Sequence, residues 1–368
     1  MMNQKRRILI VSMTGGFGHI RAGEALLDYA KEHVSGVQAE HVDISNMNPL
    51  LKKITVKLYD TASKKLPFLW GTLYKLMDVK LISFILKKIG GINYSSSRKI
   101  KDYILKKNPD EIIFTNVIPL PLFNAGFRKN FTHTKMGVVV TDYHGHPYYN
   151  FPWLDYYFVA AAQVKEDLEN IGVPKEKVTV TGIPINPRFY VQENISDLKL
   201  KYGIKNEFPV VLLIVSFRIS KKDLVETTRQ LLLFAPRVNV VCLTNGNAEF
   251  YQILSDNFKT HERFFSVNWT NVIEEYIKMA DVVITKAGGL TVSECLSLRK
   301  PLIMVNPIPG QEEHNAEFVE KNNFGVKARH INEIINLLPK MILQAKNTQM
   351  LLIPHENPCE KIFEHILK

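Results

Sequence analysis

A chain of 368 residues is long enough for two domains, and 46% hydrophobic residues are sufficient for a full soluble core. Its three cysteines, Cys242, Cys295 and Cys359, are widely separated and odd in number, which excludes a disulfide framework or a cysteine metal cluster and points to a reducing cytosol. The formal charge of +11 is localised: residues 50–107 carry 14 Lys or Arg against Asp60, Asp78 and Asp102, so the rest of the chain is close to neutral. A basic surface of that kind attracts anionic lipid or nucleic acid.

The apolar run Ile8-Leu-Ile-Val11 is too short for a signal peptide and reads as a first strand over residues 7–12. No run approaches the length of a transmembrane helix. Met13 to His19 is a glycine-rich turn containing Gly15, Gly16 and Gly18, followed by a helix through Ala30 and a strand from Ala39 to Asp43. Strand, glycine-rich loop, helix and strand open a doubly wound α/β sheet. The spacing is not that of a dinucleotide fingerprint, because Arg21 stands where its third glycine would be. Residues 47–90 read as mainly helical, with Lys52, Lys53, Lys87 and Lys88 set beside Phe68, Trp70 and Phe84. Lysines among large apolar and aromatic residues suit a helix lying in a membrane surface. The other reading is a helical excursion that packs its own apolar face and leaves the lysines in water.

A helix over 98–107 precedes strands at 111–115 and 136–141, with a proline-rich start and a helix over 119–129 between them. The second of these strands ends in Asp142-Tyr-His-Gly-His146, a polar cluster at the carboxyl end of a strand, where ligand-binding groups of α/β sheets collect. A strand near 156–159, a helix over 164–171 and a strand over 178–182 follow. Ile183-Pro-Ile-Asn-Pro187 is stiff and places a domain boundary there: 1–187, then 188–350, with a tail helix in 351–368 packing back on the first domain. The second domain reads as strand 210–215, helix 221–234, strand 238–243, a helix from about 248, strand 263–267, helix 271–279, strand 282–284, helix 290–298, strand 302–305, and helices at 313–322 and 331–345.

Within it, Asp281 to Ser297 is the most informative stretch. Val282-Val-Ile284 is a buried parallel strand, and the turn through Gly288 and Gly289 lets backbone approach a ligand where a β-carbon would collide. The unpaired N–H groups of the following helix favour an anion, and Glu294, about one turn in, can accept hydrogen bonds from sugar hydroxyls. This reads as a phosphate-and-ribose site; the alternative is an ordinary βα turn capped by Thr291.

Taken together, Thr14-Gly-Gly-Phe-Gly-His19, Val140-Thr-Asp142 with His146, Thr181-Gly-Ile-Pro-Ile185, Thr285-Lys-Ala-Gly-Gly-Leu-Thr291 with Glu294, and Pro309-Gly-Gln-Glu-Glu-His-Asn-Ala316 occur in an order that resembles the GT-B glycosyltransferases acting on diacylglycerol, including monogalactosyldiacylglycerol synthase. The lipid II N-acetylglucosaminyltransferase is a more distant relative of that group. The resemblance implies two Rossmann-like doubly wound domains facing across a cleft, with the nucleotide sugar held mainly by the second. It implies diphosphate contact at Gly288, Gly289 and Thr291, ribose contact at Glu294, and sugar-hydroxyl contact at Gln311 and Glu312. It places His19, Asp142 and His146 on the acceptor side, beside the loop of Gly15, Gly16 and Gly18, where a base would deprotonate the acceptor hydroxyl; His144 is the weakest candidate. It makes Lys52, Lys53, Phe68, Trp70, Phe84, Lys87 and Lys88 a membrane-docking segment.

The expected reaction is therefore inverting transfer of a hexose from UDP-glucose or UDP-galactose to diacylglycerol or a glycosyl-diacylglycerol, at the cytoplasmic face of an anionic membrane. No metal or further cofactor is expected, since no Asp-x-Asp pair lies in a suitable loop. One departure from the family pattern is Val215-Ser-Phe-Arg-Ile-Ser-Lys-Lys222, which lacks glycine; either basic side chains, Arg218 and Lys221, take over diphosphate contact, or donor binding is altered or weakened. Another is Ser266-Val-Asn-Trp-Thr270, where a glycine commonly precedes the loop near the nucleotide base; Trp269 there either stacks or simply packs. Rival readings are a same-fold transferase using a polyprenyl-linked or soluble acceptor, and a non-catalytic protein that binds anionic membranes. Nucleic-acid binding would explain the charge but leave the ordered motifs without a purpose.

Overall fold

A computed structural model describes residues 5–14, 17–47, 83, 94–123, 128–216, 219–234, 237–345 and 356–368. Gly15, Gly16, Arg218 and the expected docking residues Lys52, Lys53, Phe68, Trp70, Phe84, Lys87 and Lys88 lie outside the described residues.

Short branched apolar runs form the strands because both faces of a parallel sheet are covered. In the first unit these are β1 (Arg6–Ser12), β2 (Val37–Asp43), β3 (Glu111–Phe114), β4 (Lys135–Val139), β5 (Tyr156–Val159) and β6 (Val178–Val180), paired in parallel in the order β2-β1-β3-β4-β5-β6. Period-two alternation splits β1 between two cores. Leu9 and Val11 join Ile112, Phe114, Val138 and Tyr157 on one side. Ile8 and Ile10 join Ile113, Val139 and Phe158 on the other. The first side is completed by α2 (Tyr94–Lys107), through Ile100 and Ile104, and by α3 (Ala162–Asn170), through Val164 and Leu168. The second is covered by α1 (Phe17–His33), through Ala25, Leu26 and Ala30.

The second unit contains α4 (Ile195–Lys201), β7 (Val210–Ile214), α5 (Lys221–Leu233), β8 (Asn239–Leu243), α6 (Ala248–Phe258), β9 (Phe264–Val267), α7 (Ile273–Met279), β10 (Val282–Thr285), α8 (Gly289–Ser297), β11 (Leu302–Val305), α9 (Gln311–Lys321), β12 (Gly325–Ala328) and α10 (Ile334–Ala345). Its sheet is again parallel, in the order β12-β11-β10-β7-β8-β9. Renumbered from its own first strand, that is the doubly wound order 3-2-1-4-5-6. A final helix, α11 (Pro358–Leu367), returns to the first unit, where Cys359, Ile362, Phe363 and Ile366 pack beside Ile8 and Ile10. By contacts the first unit is Met1–Pro187 with Pro309–Gln311 and Glu356–Lys368, and the second is Arg188–Ile308 with Glu312–His355.

Two elements escaped the sequence reading. α4 is about two turns held by Asn194, whose side chain accepts from Ser196 N, and it buries Leu198 alone. β12 is a four-residue edge strand, too short to show a periodicity. A third difference matters for the site: α1 begins at Phe17, so Gly18 and His19 belong to its first turn and not to a preceding loop. Among the described residues no helix is long and apolar enough to cross a membrane.

Candidate functional site

In each sheet the strand order reverses beside the unit's first strand, and the loops leaving the two central strands part to opposite faces there. In the first unit this point lies between β1 and β3, and in the second between β7 and β10. His19 follows β1 at the first of these points, and Gly288 and Gly289 follow β10 at the second.

At the first, the segment after β1 is tied down from both sides. Asp43, ending β2, accepts from Thr14 N at 3.2 Å, Thr14 Oγ1 at 2.5 Å, Ser45 N at 3.0 Å and Ser45 Oγ at 2.6 Å. Burial pushes the Asp43 pKa up, but those four donors outweigh it and leave the carboxylate below its ordinary value. Asn116, after β3, donates to the Met13 carbonyl at 3.3 Å.

His19 follows, half-buried. Its carbonyl accepts from Thr115 Oγ1 at 2.9 Å and Ser12 Oγ at 3.2 Å. Ser12 Oγ is also 2.7 Å from Thr115 Oγ1 and 2.7 Å from His41 Nε2. The imidazole Nδ1 of His19 lies 3.0 Å from the Thr115 carbonyl and 2.8 Å from Thr141 Oγ1. Burial lowers the His19 pKa, while the charge of Asp142 and the Thr115 contact oppose that only in part.

Asp142 is buried and receives Gln311 Nε2 on both carboxylate oxygens, at 2.9 and 2.8 Å. Gln311, read from the sequence as a sugar-hydroxyl contact, therefore sits against Asp142 here. Tyr149 also donates to Asp142, and burial first, then that carboxylate, pushes the phenol pKa well up. His146 is buried, and its Nδ1 accepts from Tyr148 N at 3.3 Å as the cap of the short turn Pro147–Tyr149. Its ring lies 4.5 Å from that of Tyr149, so it supports the tyrosine that reaches Asp142. His144 turns elsewhere, with Nδ1 3.3 Å from Asp167 Oδ2 on α3.

In the second unit, α8 starts at the end of β10 with Gly288 as its cap residue and no capping side chain. The alternative of a Thr291 cap is thus corrected: Thr291 is the third residue of the helix. A β-carbon at Gly288 would make only an ordinary van der Waals contact with Lys286 Cε, at 3.8 Å, so no protein group would collide with it. The loop is braced by Asn315, fully buried, whose Nδ2 donates to the Ala287 carbonyl at 3.0 Å. Glu294 is buried inside α8.

Glu312 uses both oxygens within its own unit: Lys286 Nζ approaches Oε1 at 2.7 Å and Ile308 N donates to Oε2 at 2.9 Å. It clamps the 286–288 turn to the start of α9, a bracing role that its assignment as a sugar contact did not include. Lys221 opens α5 and pairs with Glu249 of α6, both side chains about half exposed. Such an exposed pair contributes little to stability. Trp269 is 60% exposed, which excludes simple packing. Among the described residues no group of three or more His, Cys, Asp or Glu side chains could hold a metal ion.

The sequence reading missed Ser12, Thr115, Thr141, Tyr149, Lys286 and Asn315. All but Tyr149 meet a partner distant in the chain, so the only signal available was a place in or beside a motif.

Residues 19–185 match the monogalactosyldiacylglycerol (MGDG) synthase family, and residues 218–359 match the glycosyltransferase family 28 C-terminal domain. The chain is 30% identical to a processive diacylglycerol beta-glucosyltransferase of Bacillus pumilus, over all of this chain and 96% of that protein. It is 26% identical to the protein of that name from Staphylococcus saprophyticus, over 88% of this chain and 82% of that one. Among solved structures it is similar to Acinetobacter baumannii MurG, with a TM-score of 0.60 and 13% identity over 98% of this chain and 99% of that one. A Staphylococcus aureus MnaA–UDP complex gives 0.59 and 14%, over 98% and 96%. With full-length relatedness added to two doubly wound units of this topology, the chain belongs to the diacylglycerol glycosyltransferase family of GT-B proteins.

Proposed function

We propose that the protein transfers a hexose from UDP-glucose or UDP-galactose to diacylglycerol or a glycosyl-diacylglycerol, with inversion, at the cytoplasmic face of the membrane. The observation that carries this reading is the uncapped start of α8 at the second sheet's reversal point, with the Glu294 carboxylate buried about one turn further along. Backbone N–H groups at a helix start favour the diphosphate, and the carboxylate suits the ribose hydroxyls. The names of the full-length relatives supply the lipid acceptor and the hexose.

In this reading the acceptor oxygen attacks the anomeric carbon while the bond to the departing diphosphate breaks. His19 takes the acceptor proton, and the α8 amides stabilise the charge that develops on UDP. Asp142 lies beside His19 and stabilises the imidazolium that forms. UDP-sugar is the donor substrate, and no step needs a metal or further cofactor.

Purified protein incubated with labelled UDP-glucose or UDP-galactose and diacylglycerol vesicles should yield a labelled glycolipid. His19→Ala should lower its rate by about 10²–10⁴-fold, the usual share of a general base. Consumption of a UDP-sugar only with a polyprenyl-linked acceptor, or no consumption at all, would overturn the assignment.

A further inference from the structure

The contacts of His19 go beyond what its motif requires. Its Nδ1 faces two oxygens, the Thr115 carbonyl at 3.0 Å and Thr141 Oγ1 at 2.8 Å. A carbonyl oxygen can only accept, so the 3.0 Å contact requires a hydrogen on Nδ1. With that hydrogen in place Thr141 Oγ1 also meets Nδ1–H as an acceptor, and a neutral ring then carries its lone pair on Nε2. The backbone of the same residue is held separately, its carbonyl receiving Thr115 Oγ1 and Ser12 Oγ. Ring and main chain are thus gripped from β1, the end of β3 and the end of β4, and neither can turn without breaking contacts to the other strands.

We propose that Thr141, acting with the main-chain carbonyl of Thr115, is the positioning residue that holds His19 as the Nδ1–H tautomer and so leaves Nε2 as the nitrogen that accepts the acceptor proton. The proposal rests on His19 as the base, but the tautomer is observable whether or not the protein turns over. Thr141 touches neither donor nor acceptor in this scheme; it acts through the imidazole. A threonine suits the place because its methyl group fixes χ1 and keeps the hydroxyl aimed at the ring.

The test uses the full chain labelled with ¹⁵N-histidine. Long-range ¹H–¹⁵N correlation identifies the His19 signals as those missing from His19→Gln, and these should show a protonated Nδ1 and a bare Nε2 at neutral pH. Thr141→Val should lower kcat on the order of tenfold, the scale of a misaligned catalytic group, with KM for the UDP-sugar unchanged. Thr141→Ser should restore most of that loss. A wild-type spectrum showing Nε2–H, or Thr141→Val turning over at the wild-type rate, would overturn the proposal. If Thr141→Val does not fold, the wild-type tautomer and the kcat of Thr141→Ala decide in its place. Should the wild type consume no UDP-sugar, the functional reading fails while the spectrum still judges the tautomer.

Discussion

At neutral pH the imidazoles of His19 and His41 are held uncharged. Burial lowers the pKa of His19 and of His41 from 6.5, and the carboxylates near them, Asp142 for the first and Asp43 and Asp28 for the second, offset this only in part. As pH falls the unfolded chain takes up these protons before the folded one, so stability from this pair is complete above about 6.5 and declines below it. Urea melts should therefore give a lower unfolding free energy at pH 5.5 than at pH 7, and His41→Gln should flatten that slope. The same shift places the acid limb of kcat/KM below the ordinary histidine value; a limb above 6.5 would speak against His19 as the base. In the other unit, Glu294→Gln keeps the shape of a buried side chain while removing its charge. Hydrogen bonds to a charged group contribute about 1.5–3 kcal/mol. UDP affinity measured calorimetrically should accordingly fall about 10–100-fold, and an unchanged affinity would remove Glu294 from the ribose site. The identity of the charged candidates was readable from the motifs; their neighbours were not. Nothing about Thr141 or Ser12 in the sequence marks it as reaching His19.

Elements explain why these neighbours fit. Gly23 lies one turn along α1 from His19, where an added β-carbon would fall 2.5 Å from His41 Nε2 and 2.7 Å from Ser12 Oγ. Alanine within a helix is ordinarily stabilising by about 0.5–1 kcal/mol relative to glycine, but contacts that short must displace the histidine or the serine. Gly23→Ala should therefore lower the melting temperature and kcat together; a more stable, fully active variant would show that Ser12 and His41 do not brace the helix. Helix α11 presents the complementary case. Its Phe363 is 2% exposed and lies 5.9 Å from Tyr29, ring centre to ring centre. Phe363→Ala should cost about 3–5 kcal/mol in a denaturant melt, and a cost below 1 would mean that α11 is not part of this core. The strands were legible because buried parallel strands are written as branched apolar runs. The first turn of α1 was not, because glycines that signal a loop also occur where a helix start must stay open. Neither α4 nor β12 buries enough side chain to leave a pattern.

Across the molecule, the excess charge and the uncapped helix start lie in different parts of the sequence. The 14 basic residues of 50–107 fall within the part matching the MGDG synthase family, whereas the uncapped helix start falls within the part matching the family 28 C-terminal domain. Each Lys or Arg near an anionic surface contributes about 1 kcal/mol, and the attraction is screened by salt. The protein should therefore sediment with phosphatidylglycerol vesicles at low ionic strength, and replacing Lys52, Lys53, Lys87 and Lys88 with Gln should release it; equal binding to neutral phosphatidylcholine vesicles would dismiss the electrostatic part of the reading.

By itself the sequence determined that there are two doubly wound α/β units and which side chains are candidates for the chemistry, because strand periodicity, turn residues and motif order are local properties of the chain. Only the tertiary structure decided what holds them. The order β1-β3-β4 brings Thr115 and Thr141 to His19 across 96 and 122 positions of sequence. A hydrogen bond depends on where two atoms meet in space, and the spacing of residues along the chain does not encode that distance.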